Sequence, residues 1–208
     1  MTKMKMVFAA IIAAILSVSL VAPAAAARIY NFDTNTWEDA SQVKARAKRG
    51  STIPKEIVTY ETKLKPGTIV VDPDARFLYH VLAYGSAVRY GVGVGRAGFA
   101  WAGDAKVGMK RRWPRWVPPR EMVDRDERAR EWVNGQPGGP ENPMGARALY
   151  LYANGEDTLY RIHGTNEPQS IGKAMSSGCI RMLNQDIAEL FDNVIVGTPV
   201  IVRASRGS

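Results

Sequence analysis

Thiols and imidazoles are almost absent: the 208-residue chain holds one cysteine, Cys179, and two histidines, His80 and His163. One cysteine excludes any disulfide within the chain, so the fold must be stabilised by its core. One cysteine and two histidines also fall short of the ligand set and spacing of a zinc site, and neither a metal nor a cofactor is expected. Beyond the first 27 residues no run is long and apolar enough to cross a bilayer, which takes about 20 such residues. Internal repeats and low-complexity segments are missing. The 28 Lys and Arg outnumber the 20 Asp and Glu for a net charge of +8, but the cations recur on no single face. That argues against nucleic acid as a partner and for an anionic surrounding such as a wall polymer or lipid head groups.

The start of the chain has the pattern of a signal peptide over residues 1–27. Lys3 and Lys5 are its positive end, Val7 to Val21 its apolar run, and Ala25-Ala26-Ala27 its small-residue cleavage site. An uncleaved anchor is the alternative, but the run is short for a span. No cysteine stands at the cleavage site, so lipid anchoring by that route is excluded. The chain from Arg28 onward suits one domain with a lead-in. A lone thiol in an exported protein carries weight, because oxidising compartments remove unpaired thiols unless something uses them. A buried structural thiol or an intermolecular bridge are the plainer alternatives.

Arg28 to Lys65 is polar and weakly periodic and reads as an extended arm (residues 28–65), with nothing in it that suggests catalysis. From Pro66-Gly67 onward the pattern is mainly β. Thr68 to Val71 and Arg76 to Leu82 make a hairpin around Asp72-Pro73-Asp74. His80 alternates with Leu78 and Leu82, as a packed strand residue would. Val88 to Val94 is a further strand. Gly93-Val94-Gly95-Arg96-Ala97-Gly98 matches G-x-G-x-x-G, yet the residues after it read as a turn rather than a helix, so the glycines mark a bulge or a close approach of backbones, not a dinucleotide seat. Lys110 to Pro119 sets Trp113 and Trp116 among cations and prolines, where they either stack on a substrate sugar and cap a cleft or tuck against the sheet. A helix is expected over Glu121 to Val133, and a Pro/Gly-rich loop over Asn134 to Pro143. Two more strands are expected at Ala146 to Tyr152 and Thr158 to Ile162, joined by an Asn154-Gly155 turn. Asn184 is placed as the N-cap of a helix from Gln185 to about Asn193, and Val196 to Val202 closes the domain. Residues 204–208 are a tail.

Cys179 stands in Ser176-Ser177-Gly178-Cys179, a small, glycine-containing turn that exposes a thiol beside bare backbone N–H groups. A free thiol is only a few per cent ionised at neutral pH, so a nucleophilic cysteine needs a base. His163, at a strand end, is the candidate. Its imidazole needs a partner that fixes the tautomer. Glu167 lies too close in sequence, so the backbone carbonyl of Gly164 is assigned that place. The N–H groups of Ser177, Gly178 and Cys179 suit an oxyanion, and Arg181 offers a fork to an anionic substrate group.

These residues form a signature. His163, Ser176-Ser177-Gly178-Cys179-Ile180-Arg181-Met182, Asn184 and Gly197-Thr198-Pro199-Val200 closely resemble the L,D-transpeptidase catalytic domain, the YkuD-like family. The resemblance extends back over Gly67 to Asp72, Arg89 to Arg96 and Asn142 to Leu149, and so covers residues 66–203. It departs at Ser177, where the family has a histidine; the family's base matches His163, so what is lost is a side-chain contact to substrate.

The resemblance implies an antiparallel β-sandwich or barrel with one or two short helices, in a periplasmic or cell-envelope enzyme. The Cys179 thiolate would attack a peptidoglycan tetrapeptide stem, release D-alanine and leave a thioester. An amine on another stem, or an envelope-protein lysine, would then take the acyl group to give a 3→3 cross-link or a protein tether. Carbapenem acylation of the thiol is implied as well. The alternatives are a same-fold carboxypeptidase or hydrolase with water as acceptor, and a non-catalytic wall-binding module built on the tryptophan loop.

Overall fold

The computed structural model describes residues 28–39, 53–96 and 101–206. The leader expected over 1–27 and part of the expected arm lie outside the described residues. Among those described, no helix is long and apolar enough to cross a membrane.

The chain is mainly β with short helices, as its alternating apolar pattern predicts. Strands β1 (Arg28–Asn31) and β2 (Thr36–Asp39) form a separate hairpin. The main sheet uses β3 (Glu56–Thr59), β4 (Ile69–Asp72), β5 (Phe77–Val81), β6 (Ser86–Gly91), β8 (Gly103–Arg112), β9 (Arg147–Ala153), β10 (Glu156–His163), β12 (Ile180–Arg181) and β13 (Pro199–Val202). Its order is β12-β10-β9-β8-β13-β4-β5-β6-β3. Strand β3, within the stretch expected to be an arm, is thus an edge strand of the main sheet, paired with β6. Short β7 (Val94–Gly95) and β11 (Ala174–Ser176) pair separately.

The sheet is mixed and does not close. β4 with β13, β10 with β12, and β7 with β11 are parallel, whereas the remaining pairs are antiparallel. The cause is topological: β13 returns from the end of the chain into the middle of the sheet, a long-range pairing that local alternation does not encode. One buried cluster unites Ile69 and Val71 of β4, Leu78, Tyr90, Leu149, Leu151, Ile162, Ile180 and Met182. Burial of each large side chain there contributes about 1.5–3 kcal/mol.

Helix α3 (Asn184–Asn193) seals this core with Ile187, Ala188, Leu190 and Phe191, the stripe its 3.6-residue period predicts. At its C-terminal end, Lys110 Nζ donates to the carbonyls of Phe191 in the last turn and of Val194 just after it. The helix expected over Glu121 to Val133 is split into α1 (Arg120–Arg125) and α2 (Glu127–Glu131). The break is at Asp126, whose extended backbone and carboxylate cap α2 by accepting from the Arg128 N–H at 3.0 Å.

The two arms of the open sheet are stitched next to Cys179. Beyond β6, Gly93 N donates to Arg181 O at 2.9 Å and Arg181 N to Gly93 O at 2.8 Å. This accounts for the first glycine of the G-x-G-x-x-G stretch, because a Cβ on Gly93 would lie 2.7 Å from the Ser170 carbonyl oxygen, while Gly98 lies outside the described residues. Gly93→Ala must therefore push two backbones apart. It is expected to lower unfolding stability by about 1–3 kcal/mol, read as a shift in urea midpoint; an unchanged midpoint would show that the stitch is dispensable.

Candidate active site

Parallel pairing of β10 with β12 sets Ile162 beside Ile180 and His163 beside Arg181. The residue before β12 is Cys179, so the thiol and the imidazole come to the ends of adjacent strands. Both line one cleft of about 890 Å³, together with Ser176, Ser177, Arg181, Glu167 and Trp116. That volume is within the usual range for small-ligand sites.

His163 is buried, and its Nδ1 lies 2.6 Å from Gly164 O. A carbonyl oxygen only accepts, so Nδ1 carries the proton and Nε2 keeps a free lone pair. Burial drives the imidazole pKa down to about 4, and the Arg181 cation adds to this; the Gly164 and Met144 backbone carbonyls act in the opposite direction. The ring is therefore a neutral base at neutral pH. Cys179 is half-buried. Burial raises its thiol pKa, while a backbone hydrogen bond from Arg161 and the charges of Arg161 and Arg181 favour the thiolate. Both groups are accordingly neutral at rest.

The turn before the thiol is internally bonded. Ser176 Oγ donates to Cys179 O at 2.6 Å and accepts from Gly178 N at 3.2 Å. Gly178 takes φ +115°, which favours glycine. Of the three N–H groups singled out from sequence, that of Gly178 is thus engaged by Ser176 Oγ in this conformation.

Arg181 lines the cleft, but its fork is partly engaged: Nη1 donates to Glu167 Oε2 at 2.9 Å. Glu167, set aside as an imidazole partner, thus acts on the arginine. The tryptophans divide. Trp116 lines the cleft, its backbone N–H donating to Gln136 O at 2.9 Å, whereas Trp113 does not line it. His80 is buried in β5, away from the cleft, where desolvation lowers its pKa.

Asn184 is corrected from a cap to a clamp. The N-cap position of α3 is Leu183, and no side chain caps the helix. Asn184 is 2% exposed, and its carboxamide is saturated. Oδ1 accepts from Ala146 N at 2.9 Å and Thr165 N at 3.2 Å; Nδ2 donates to Thr165 O and Asp33 Oδ1, both at 3.0 Å. The reversed amide would set its N–H groups against two backbone N–H donors, so only one orientation fits. The amide sits so close to the chain that a Cβ on Gly145 or Gly164 would collide with Oδ1.

Arg161 carries no signal of its place in sequence. It holds Asp157 with both Nη atoms, at 2.7 and 2.8 Å, and its guanidinium stacks 4.1 Å from the centroid of Tyr150. The bulge that aims it includes Leu159, a non-glycine residue at φ +63° and exposed on the cleft rim. Met144, Met175, Trp132 and Met122 complete the apolar lining. Their spacing in sequence carries no signal either, since they come from separate segments: Met122 from α1, Trp132 from the end of α2, Met144 from a loop and Met175 from β11.

Residues 66–202 match the L,D-transpeptidase catalytic domain, YkuD, and the chain belongs to that family. Its relatives include the probable L,D-transpeptidase ErfK/SrfK of Escherichia coli strain K12, 37% identical over 157 residues, which are 72% of this chain and 47% of the relative. The probable L,D-transpeptidase YbiS of the same strain is 34% identical over 153 residues, 71% of this chain and 47% of the relative. The chain spans about half the length of these curated relatives. A solved structure of a probable carnitine operon oxidoreductase from Brucella melitensis is similar at 47% identity and a TM-score of 0.51, over 74% of this chain and 95% of that one.

Replacing Asn184 by Ala strands the buried N–H groups of Ala146 and Thr165. Asn184→Ala is expected to lose about 2–4 kcal/mol of unfolding stability, read by chemical denaturation, whereas a surface asparagine would lose next to none.

Proposed function

We propose that the chain is an exported L,D-transpeptidase acting on peptidoglycan stem peptides in the cell envelope. The observation that carries the reading is a neutral imidazole, tautomer-fixed by a carbonyl at 2.6 Å, lining one cleft with the chain's single thiol. In the first half-reaction Cys179 Sγ adds to the stem carbonyl as its proton passes to His163 Nε2. The N–H groups of Ser177 and Cys179 take up the oxyanion. Collapse expels the D-alanine amine, which leaves with the proton from His163, and a thioester remains. An acceptor amine then attacks the thioester and gives its proton to His163, and the departing thiolate recovers that proton.

Membership of the L,D-transpeptidase family and the likeness to the probable L,D-transpeptidases ErfK/SrfK and YbiS support this reaction class. The apolar wall with Trp116 suits the stem's aliphatic stretches, and Arg181 suits a carboxylate, with Glu167 as the group it would exchange for substrate. The oxidoreductase name of the Brucella protein finds no echo in the G-x-G-x-x-G stretch, whose Gly93 is committed to Arg181.

Incubation with tetrapeptide muropeptides is expected to yield cross-linked dimers and free D-alanine, with an acyl adduct on intact mass that Cys179→Ala abolishes. Tripeptide monomer as the sole product would assign water as the acceptor, and no adduct in the wild type would overturn the thioester.

A further inference from the structure

The hairpin β1–β2 lies outside the family-matched residues 66–202, yet it reaches the support of the imidazole. Asp33 sits in its turn, held by its own N–H donating to Asn31 Oδ1 at 2.8 Å. Asn31 is buried at 2% exposure, although it belongs to a short, otherwise open hairpin. Three further contacts seat the hairpin on the domain. The Phe32 ring lies 4.9 Å from the Arg147 guanidinium, Gln185 Nε2 donates to Tyr30 O at 3.4 Å, and Asp33 Oδ1 accepts from Asn184 Nδ2 at 3.0 Å.

The last contact continues into the site. The amide that donates to Asp33 also bonds Thr165 N and Thr165 O, and so holds the backbone directly after Gly164. Gly164 O is the acceptor that fixes His163 Nδ1. Rotation of the Asn184 amide about its last torsion would break the bonds to Ala146 and Thr165 together. Asp33 occupies the one N–H of that amide that the domain itself leaves open, and as an anion it accepts more strongly than water or a carbonyl.

We propose that Asp33 is a positioning residue: through Asn184 it holds the Gly164–Thr165 turn, and thereby the His163 imidazole, in its working orientation. The hairpin is then a component of the active site contributed from outside the catalytic module. This rests on the reading of His163 as the base.

The test uses the full chain with ring-15N-labelled histidine. The chain has two histidines, and His163→Gln assigns their signals. In the wild type, the His163 ring is expected as a single Nδ1–H tautomer. Asp33→Ala is expected to mix or broaden that signal and to lower kcat on stem peptide by roughly tenfold, the loss of one charge-assisted bond, with KM within about twofold. Asp33→Asn keeps an oxygen acceptor without the charge and is expected to restore the single tautomer and to recover part of kcat. An Asp33→Ala protein whose ring spectrum and kcat equal those of the wild type overturns the proposal, as does Asp33→Asn impaired as deeply as Asp33→Ala. If the wild type turns over no stem peptide, the proposed function fails, while the ring spectra still decide the role of Asp33.

Discussion

The Asn184 carboxamide, with its four hydrogen bonds, is the constraint on which the site depends. It ties the start of β9, the turn after β10, the first residue of α3 and the β1–β2 hairpin to one buried point. Two glycines are dictated by it, since Gly145 and Gly164 must lack Cβ atoms for the amide to fit. The tautomer of His163 is dictated in turn, because the carbonyl that fixes it belongs to the backbone that the amide clamps. A buried amide with every donor and acceptor matched gives orientation, whereas a half-satisfied one would be a source of disorder.

Burial acts on the His163 imidazole and the Cys179 thiol in opposite senses. It lowers the imidazole pKa and raises that of the thiol, so the resting pair is neutral rather than a preformed thiolate and imidazolium. In the proposed reaction proton transfer therefore accompanies attack on the carbonyl. Arg161 and Arg181 make the thiolate more accessible as it forms, and Arg181 simultaneously opposes charge on His163. The same burial links acidity to stability. The unfolded imidazole binds a proton near pH 6.5 and the folded one near 4, so its contribution is complete above about 6.5 and is lost as pH falls towards 4.

Much of this was legible in the residues themselves. Cys179 and His163 stood out because the chain has so few of either type, and the Asn154-Gly155 turn required its hairpin, with both residues at positive φ. Alternating apolar residues gave β4, β5 and β9 to within a residue or two. Asn184 was legible only as an asparagine at a helix start, a pattern a cap and a clamp share; its partner Asp33 is 151 positions away. The Gly93–Arg181 stitch and the parallel insertion of β13 are likewise pairings between distant segments, and local periodicity is silent on them. Arg161 was hidden because a bulge, not the strand's period, sets its direction.

In the proposed function His163 is a buried, neutral base that lines one cleft with Cys179. The pH dependence of kcat/KM for acylation by a stem peptide measures this directly, because its acid limb reports the base in the free enzyme. A limb near pH 4 is expected, with activity undiminished through pH 6. A limb centred near 6.5, the value of a solvent-exposed imidazole, in protein that remains folded would contradict it.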